Sequence, residues 1–233
     1  MSARTDASPS HLALLLDGPL QSWGYGSRFD RRTTLPFPTR SGITGMICAA
    51  MGIGRTDTDA LTGFSGVRMT TLTFSQTGRL TDFHTVGGGY DPKTQRHQMP
   101  RKANNATPGV VVSRREYLLG SRFGVILSGP AERLTAMAEA LRNPRWGIWL
   151  GRKSCIPATP VCQGIFDGFE AAASRLKTAV EEITGTPLRQ GGRSVIEVER
   201  FAEGDDTIMD IPLDFANRRF APRRVKIDTP NPE

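Results

Sequence analysis

A strand, a helix, two strands, a second helix and a further strand follow one another between residue 12 and about residue 154. That order predicts an α+β fold whose first part is ferredoxin-like and of the RRM type. Behind it, short apolar runs broken by Gly- and Asp-rich turns predict a smaller β-rich C-terminal part. The expected organisation is a disordered N-terminus over 1–10, the first part over 11–155, the second over 156–224 and a tail over 225–233.

Residues 12–16 are an uninterrupted apolar run with the character of a buried strand, ended by the turn at Gly18 and Pro19. A polar stretch with Gln21, Ser22 and Trp23 follows, then Gly24, Gly26 and a basic loop containing Arg28, Arg31 and Arg32. Thr39 and Ser41 both suit an N-cap for the helix predicted over 43–53. Gly52 and Gly54 stop it, and 56–64 suits a short helical turn. Residues 67–74 alternate and are rich in β-branched side chains, as are 79–86, and the turn at 76–78 pairs them as a hairpin.

From 87 to 110 the chain changes character. Gly87-Gly88-Gly89, Pro92, Pro100, Asn104-Asn105 and Pro108-Gly109 are turn formers in a basic context. Loops of this length are usually functional or disordered. Strands are expected again at 111–119 and 122–128. Pro130 opens a helix to about residue 141, with Leu134, Met137, Ala138 and Leu141 on one face. Residues 146–150 and 161–166 are short strand candidates, and 171–180 is helical. Runs at 194–201 and 208–213 suggest a small antiparallel sheet. The tail after Arg224 has no core-forming residues.

The chain has 233 residues, 30 Lys and Arg against 23 Asp and Glu, and a formal net charge of +7. A polyanionic partner fits that balance, and so do several merely solvated basic faces. The distribution says more. Between Phe83 and Arg115 the one acid is Asp91, while Arg142, Arg145, Arg152 and Lys153 form an acid-free group and Arg218, Arg219, Arg223, Arg224 and Lys226 another. Acids gather between 181 and 214. Segregation of this kind predicts one basic and one acidic surface.

Three cysteines, Cys48, Cys155 and Cys162, have no close pair and no CxxC spacing. They suit buried thiols in a reducing compartment and argue against a zinc site, so no cofactor is expected. Residues 1–10 have no apolar signal core and no segment approaches the roughly 20 apolar residues of a membrane span. The expected location is the cytoplasm.

Arg40 precedes a helix start, where its guanidinium and the N–H groups of Ser41 and Gly42 suit a phosphate. Arg152 and Lys153 sit at a basic turn beside Ser154. Trp23 admits two readings: an indole that stacks on a base, or a plug that packs the loop onto the body. Of three histidines, His84 could serve as a general base, but with no Ser-His-Asp order or carboxylate cluster in the chain it reads as a structural or RNA-contacting residue rather than a catalyst.

Several phrases of the chain are similar to those of a known family. Leu-Asp-Gly-Pro-Leu-Gln-Ser-Trp-Gly over 16–24, Pro-Thr-Arg-Ser-Gly-Ile-Thr-Gly-Met over 38–46 and Ala-Met-Gly-Ile-Gly-Arg over 50–55 resemble the Cas-five family of CRISPR-associated proteins. Asp82-Phe-His-Thr-Val86, Arg114-Arg-Glu-Tyr-Leu118, Leu150-Gly-Arg-Lys-Ser-Cys155 and Phe215-Ala-Asn-Arg218 resemble later landmarks of the branch that serves type I-E Cascade complexes, in the same order.

The resemblance implies a non-catalytic RNA-binding subunit that holds the 5′ handle of the CRISPR RNA and caps the backbone of an antiviral complex. It implies that 87–112 is an inserted β-hairpin thumb folded over the guide. The implied partners are the CRISPR RNA, the backbone subunit and the large PAM-reading subunit, with target DNA nearby and no membrane. On this reading the RNA contacts are Gln21, Ser22, Trp23, Arg40, Ser41, Gly42, His84, Arg101, Lys102, Arg114, Arg115, Arg152 and Lys153. Two rivals stay open: a metal-independent endoribonuclease that cuts repeat RNA, and an assembly protein whose basic faces touch only neighbouring subunits.

Overall fold

Residues 11–17 are almost wholly buried, and both faces of the strand they form carry a helical layer. The computed structural model describes residues 9–27, 30–99, 109–188 and 192–229. In chain order the elements are β1 (Ser10–Asp17), β2 (Leu20–Gln21), β3 (Arg31–Arg32), α1 (Arg40–Met51), β4 (Arg68–Ser75), β5 (Gly78–Val86), β6 (Gly89–Asp91), β7 (Arg96–Gln98) and β8 (Val111–Leu119). Then come β9 (Arg122–Gly129), α2 (Ala131–Arg142), β10 (Cys162–Phe166), α3 (Phe169–Thr184), β11 (Ser194–Glu197), β12 (Asp206–Asp214) and β13 (Arg219–Asp228).

The fold is α+β with antiparallel sheets. Seven strands are ordered β10-β1-β9-β4-β11-β13-β12, and each neighbouring pair is antiparallel. Alternation along β1 explains the layers. Leu12, Leu14 and Leu16 point to the side holding Ile43 and Ile47 of α1 and Leu134 and Met137 of α2. Ala13 and Leu15 point the other way, to Ala172, Leu176, Ala179 and Val180 of α3. Those four recur at helical spacing, so α3 presents one apolar stripe to the sheet.

A second sheet has the order β2-β8-β3, with β5 paired along the whole other edge of β8, from Gly78 opposite Leu119 to Val86 opposite Val111. Beyond it β6 and β7 form a small hairpin. The disordered segment expected at 1–10 lies largely outside the described residues, as do Arg101 and Lys102.

Four expectations need correction. First, the runs at 67–74 and 79–86 do not form a hairpin. β4 lies between β9 and β11, and β5 leaves for the second sheet. The apolar strand β9 must be covered on both edges, and β4 fills that place. Second, residues 146–150 form no strand. The N–H groups of Arg145 and Trp146 donate to the carbonyls of Ala50 (2.8 Å) and Ala49 (3.2 Å), so the segment is a loop that satisfies the C-terminal end of α1. Third, β11, β12 and β13 make no separate sheet, because β11 joins them to β4. Fourth, β13 runs into the expected tail, and Val225 is fully buried.

Helix α1 is held at both ends. Thr39 Oγ1 accepts the Gly42 N–H at 3.2 Å, so Thr39 and not Ser41 is the N-cap. Gly52 takes the left-handed conformation, φ 75°, that ends the helix. The N-terminal end also meets a buried ionic group. The Arg40 N–H donates to Asp210 Oδ2 at 2.7 Å, and Arg223 forms a two-pronged pair with the same carboxylate at 2.9 and 2.8 Å. The Arg40 guanidinium pairs with Glu197 at 2.9 Å and donates to the carbonyls of Phe64 and Val67. Burial draws the Arg40 pKa below its ordinary value, opposed by Glu197. Removing one member of a buried pair leaves the other charge uncompensated.

Two outcomes follow from this packing. Asp210→Ala lowers unfolding stability by about 3–5 kcal/mol in urea titrations, whereas Met209→Ala, at a half-exposed neighbour, changes it by about 0.5 kcal/mol or less. In the folded protein iodoacetamide modifies Cys162, which is half-buried, and spares Cys155 and Cys48. Burial raises the Cys48 thiol to about 11, so mass spectrometry at mildly alkaline pH finds it labelled only after denaturation.

Candidate nucleic-acid interface

The turn after β1 is held by one carboxamide. Gln21 Nε2 donates to the carbonyls of Leu16 (2.9 Å) and Ser121 (2.6 Å), and its Oε1 accepts the indole N–H of Trp23 at 3.1 Å. Ser22 Oγ donates to the Glu116 carbonyl at 3.1 Å. Trp23 has no exposed surface, and its ring lies under α1, where a Cβ on Gly42 would come within 2.8 Å of it. Of the two readings of Trp23, the plug is the one the packing bears out. The side chains of Gln21, Ser22 and Trp23 are buried and engaged within the turn beneath α1.

Arg40 is likewise withdrawn. Its guanidinium is enclosed with Glu197, and the start of α1 already faces the carboxylate of Asp210. An internal anion therefore occupies the place where a phosphate was expected. Arg152 donates to the carbonyls of Glu116 (2.7 Å) and Arg32 (2.8 Å) and stacks 4.8 Å from the centre of the Tyr117 ring. These contacts brace β8 against its neighbours.

The remaining expected residues fall into two places. Ser41, Gly42 and Lys153 line a cleft of about 790 Å³ over the outer face of α1. Its other walls include Gly45, Trp146, Trp149, Arg55 and Phe215, and no carboxylate lines it among the described residues. The loop bonds to Ala49 and Ala50 place Trp146 over the end of α1. Phe215 is set by a turn in which the N–H and carboxamide of Asn217 bind Asp214 at 2.9 and 2.7 Å. The Asn217 N–H, then its side chain, hold the Asp214 carboxyl below its ordinary range.

The second place is the root of the β5–β8 ribbon. Parallel pairing of β3 with β8 sets Arg31 beside Arg114 and Arg32 beside Arg115. Arg114 lies 5.8 Å from the centre of the exposed Phe83 ring, on the strand opposite. Arg115 Nε donates to Ser113 Oγ at 3.0 Å. His84 Nδ1 lies 3.4 Å from Asp82 Oδ2. Successive strand residues face opposite sides, so Arg31 and Arg114 share one face with the exposed Phe83, and Arg32 and Arg115 share the other with Asp82. Two guanidinium groups beside an exposed aromatic ring suit a phosphodiester chain with unstacked bases.

The expected RNA contacts do not include Arg31, Arg32, Phe83, Trp146, Arg55 and Phe215, which the structure places at these two surfaces. Arg31 was visible as part of the basic loop, and Phe215 within the 215–218 landmark. Trp146 was hidden by its apolar neighbours, although Arg142, Arg145 and Gly147 around it mark a surface loop. Among the described residues no three His, Cys, Asp or Glu side chains converge to hold a metal, and no helix is long and apolar enough to cross a membrane.

Comparison with known proteins gives this geometry its context. The family described as CRISPR-associated protein (Cas_Cas5) matches residues 11–226. The CRISPR system Cascade subunit CasD of Escherichia coli (strain K12) is 31% identical over 225 residues, covering 91% of this chain and 94% of that protein. A chain of a solved CRISPR RNA-guided surveillance complex is similar in structure, with TM-score 0.72 and 28% identity, over 94% of this chain and 89% of that one. A crystal structure of a Cas protein matches with TM-score 0.64 and 30% identity, over 94% of each chain. The motifs spread from the first turn to Arg218, the near-complete match and the shared fold agree: the chain belongs to the Cas5 family of CRISPR-associated proteins.

Proposed function

We propose that this chain is a cytoplasmic, non-catalytic subunit of a type I-E Cascade complex that holds the repeat-derived 5′ handle of the CRISPR RNA. Its partners are that RNA, the backbone subunit and the large PAM-reading subunit, with target DNA nearby. The near-complete similarity to a Cascade subunit supports membership of the complex. The observation that carries the RNA role is the pairing of Arg31 with Arg114 beside the exposed Phe83.

The finer fold assignment belongs to this reading. The β1-α1-β4-β9-α2-β10 part is ferredoxin-like, and the order β10-β1-β9-β4 with antiparallel partners supports that. RRM proteins stack RNA on the open face of such a sheet. Here α3 covers that face through Ala13, Leu15 and Ile126. RNA is therefore directed to the rim and the outer face of α1; β6 and β7 belong to the 87–112 thumb, of which residues 100–108 lie outside the described residues.

His84 has Asp82 as its neighbour, and the Tyr117 hydroxyl is engaged at 3.5 Å with Ser154. Repeat RNA incubated with the purified chain in EDTA stays full length on a denaturing gel. Specific cleavage lost in His84→Ala contradicts the non-catalytic assignment. Arg31→Gln and Arg114→Gln each weaken binding of the handle RNA in anisotropy titrations. Each also lowers the slope of log K against log salt by about 0.7. Arg152→Ala leaves that slope unchanged and lowers the melting temperature.

A further inference from the structure

We infer that the cleft over α1 receives one unstacked base of the bound RNA, lying flat against Gly45 and the indole of Trp146; this rests on the RNA-holding function proposed above.

Gly45 carries the first part of the argument. It sits in the middle of α1, with no left-handed backbone angle to explain it. A methyl group there would meet only the Phe215 ring, at 3.7 and 4.0 Å, which is ordinary contact. Glycine in a helix interior is less stable than alanine. The chain's own packing therefore gives no reason for glycine at this place. Gly42 differs, because Trp23 excludes a side chain there. Close approach of something from outside remains as the use of the missing Cβ at Gly45.

The cleft also has the chemistry of a nucleotide. Trp146 is 47% exposed, yet its loop is fixed by two backbone hydrogen bonds to the end of α1. It is a rigid aromatic platform left open to solvent. Arg55 and Lys153 stand on the walls, and no carboxylate lines the space among the described residues. A flat ligand with an apolar face and an attached anion complements those groups. The volume of about 790 Å³ lies within the range of about 300–1,000 Å³ typical of small-ligand sites.

The test uses CRISPR RNA carrying 2-aminopurine at single positions along the 5′ handle. Binding to the wild-type chain quenches the probe strongly at one position. Trp146→Ala removes that quench and weakens binding about tenfold. Gly45→Ala raises the melting temperature by about 1–4 °C while weakening binding. A merely structural glycine does not give opposite signs in stability and affinity. Unchanged affinity in both variants, with no position quenched, overturns the base assignment and leaves the RNA-holding function standing. So does normal RNA binding with failed assembly onto the other Cascade subunits, which makes the cleft a protein socket. Absence of RNA binding by the wild-type chain overturns the function itself, and the base site with it.

Discussion

The carboxylate of Asp210 sets the position of α1, and with it the candidate interface. It accepts the first N–H of the helix and binds Arg223 with both oxygens. Arg40 then turns its guanidinium to Glu197. Four charged side chains from α1, β11, β12 and β13 are thus joined in the interior. Such a group is a poor source of net stability but a strict one for geometry, because a shift of the helix leaves charges unpaired. The C-terminal strands are in this sense part of the first domain's machinery: they fix where α1 stands, and the loop after β12 brings Phe215 to its outer face.

The same helix is located from below by Trp23 and from its end by the 145–146 loop. An indole wedged beneath Gly42 and a second indole held over the C-terminal carbonyls do opposite work. The first is sealed and its N–H is satisfied by Gln21. The second is open. Helix α3 closes one sheet face, and among the described residues the cleft above α1 and the arginines at the root of the ribbon are the candidate surfaces for a polyanion. No carboxylate lines the cleft among the described residues, whereas the rim carries Asp82 opposite Arg115.

What could be read from the sequence divides by the range of the forces involved. Helix α2 was legible down to its buried face, since Leu134, Met137, Ala138 and Leu141 obey a local period. Strand β1 was legible because its apolar run is continuous. The hairpin expected between β4 and β5 was not found, because pairing with β9 and β11 is a long-range choice that a Gln-Thr-Gly turn cannot reveal. Arg40 and Arg152 look on paper like Arg114. Their partners, Glu197 and the carbonyls of Glu116 and Arg32, are distant in the chain. Trp146 was concealed in the opposite way: an apolar neighbourhood suggested a strand where the backbone forms a cap for α1.

Crosslinking the chain to CRISPR RNA in the assembled complex and mapping the modified peptides tests the central claim most directly. The account predicts crosslinks on peptides that carry Arg31 and Arg32, Phe83, Arg114 and Arg115, and the 146–153 loop. Crosslinks confined to the exposed side of α3 or to the acidic 199–206 segment, or none on this chain at all, contradict it.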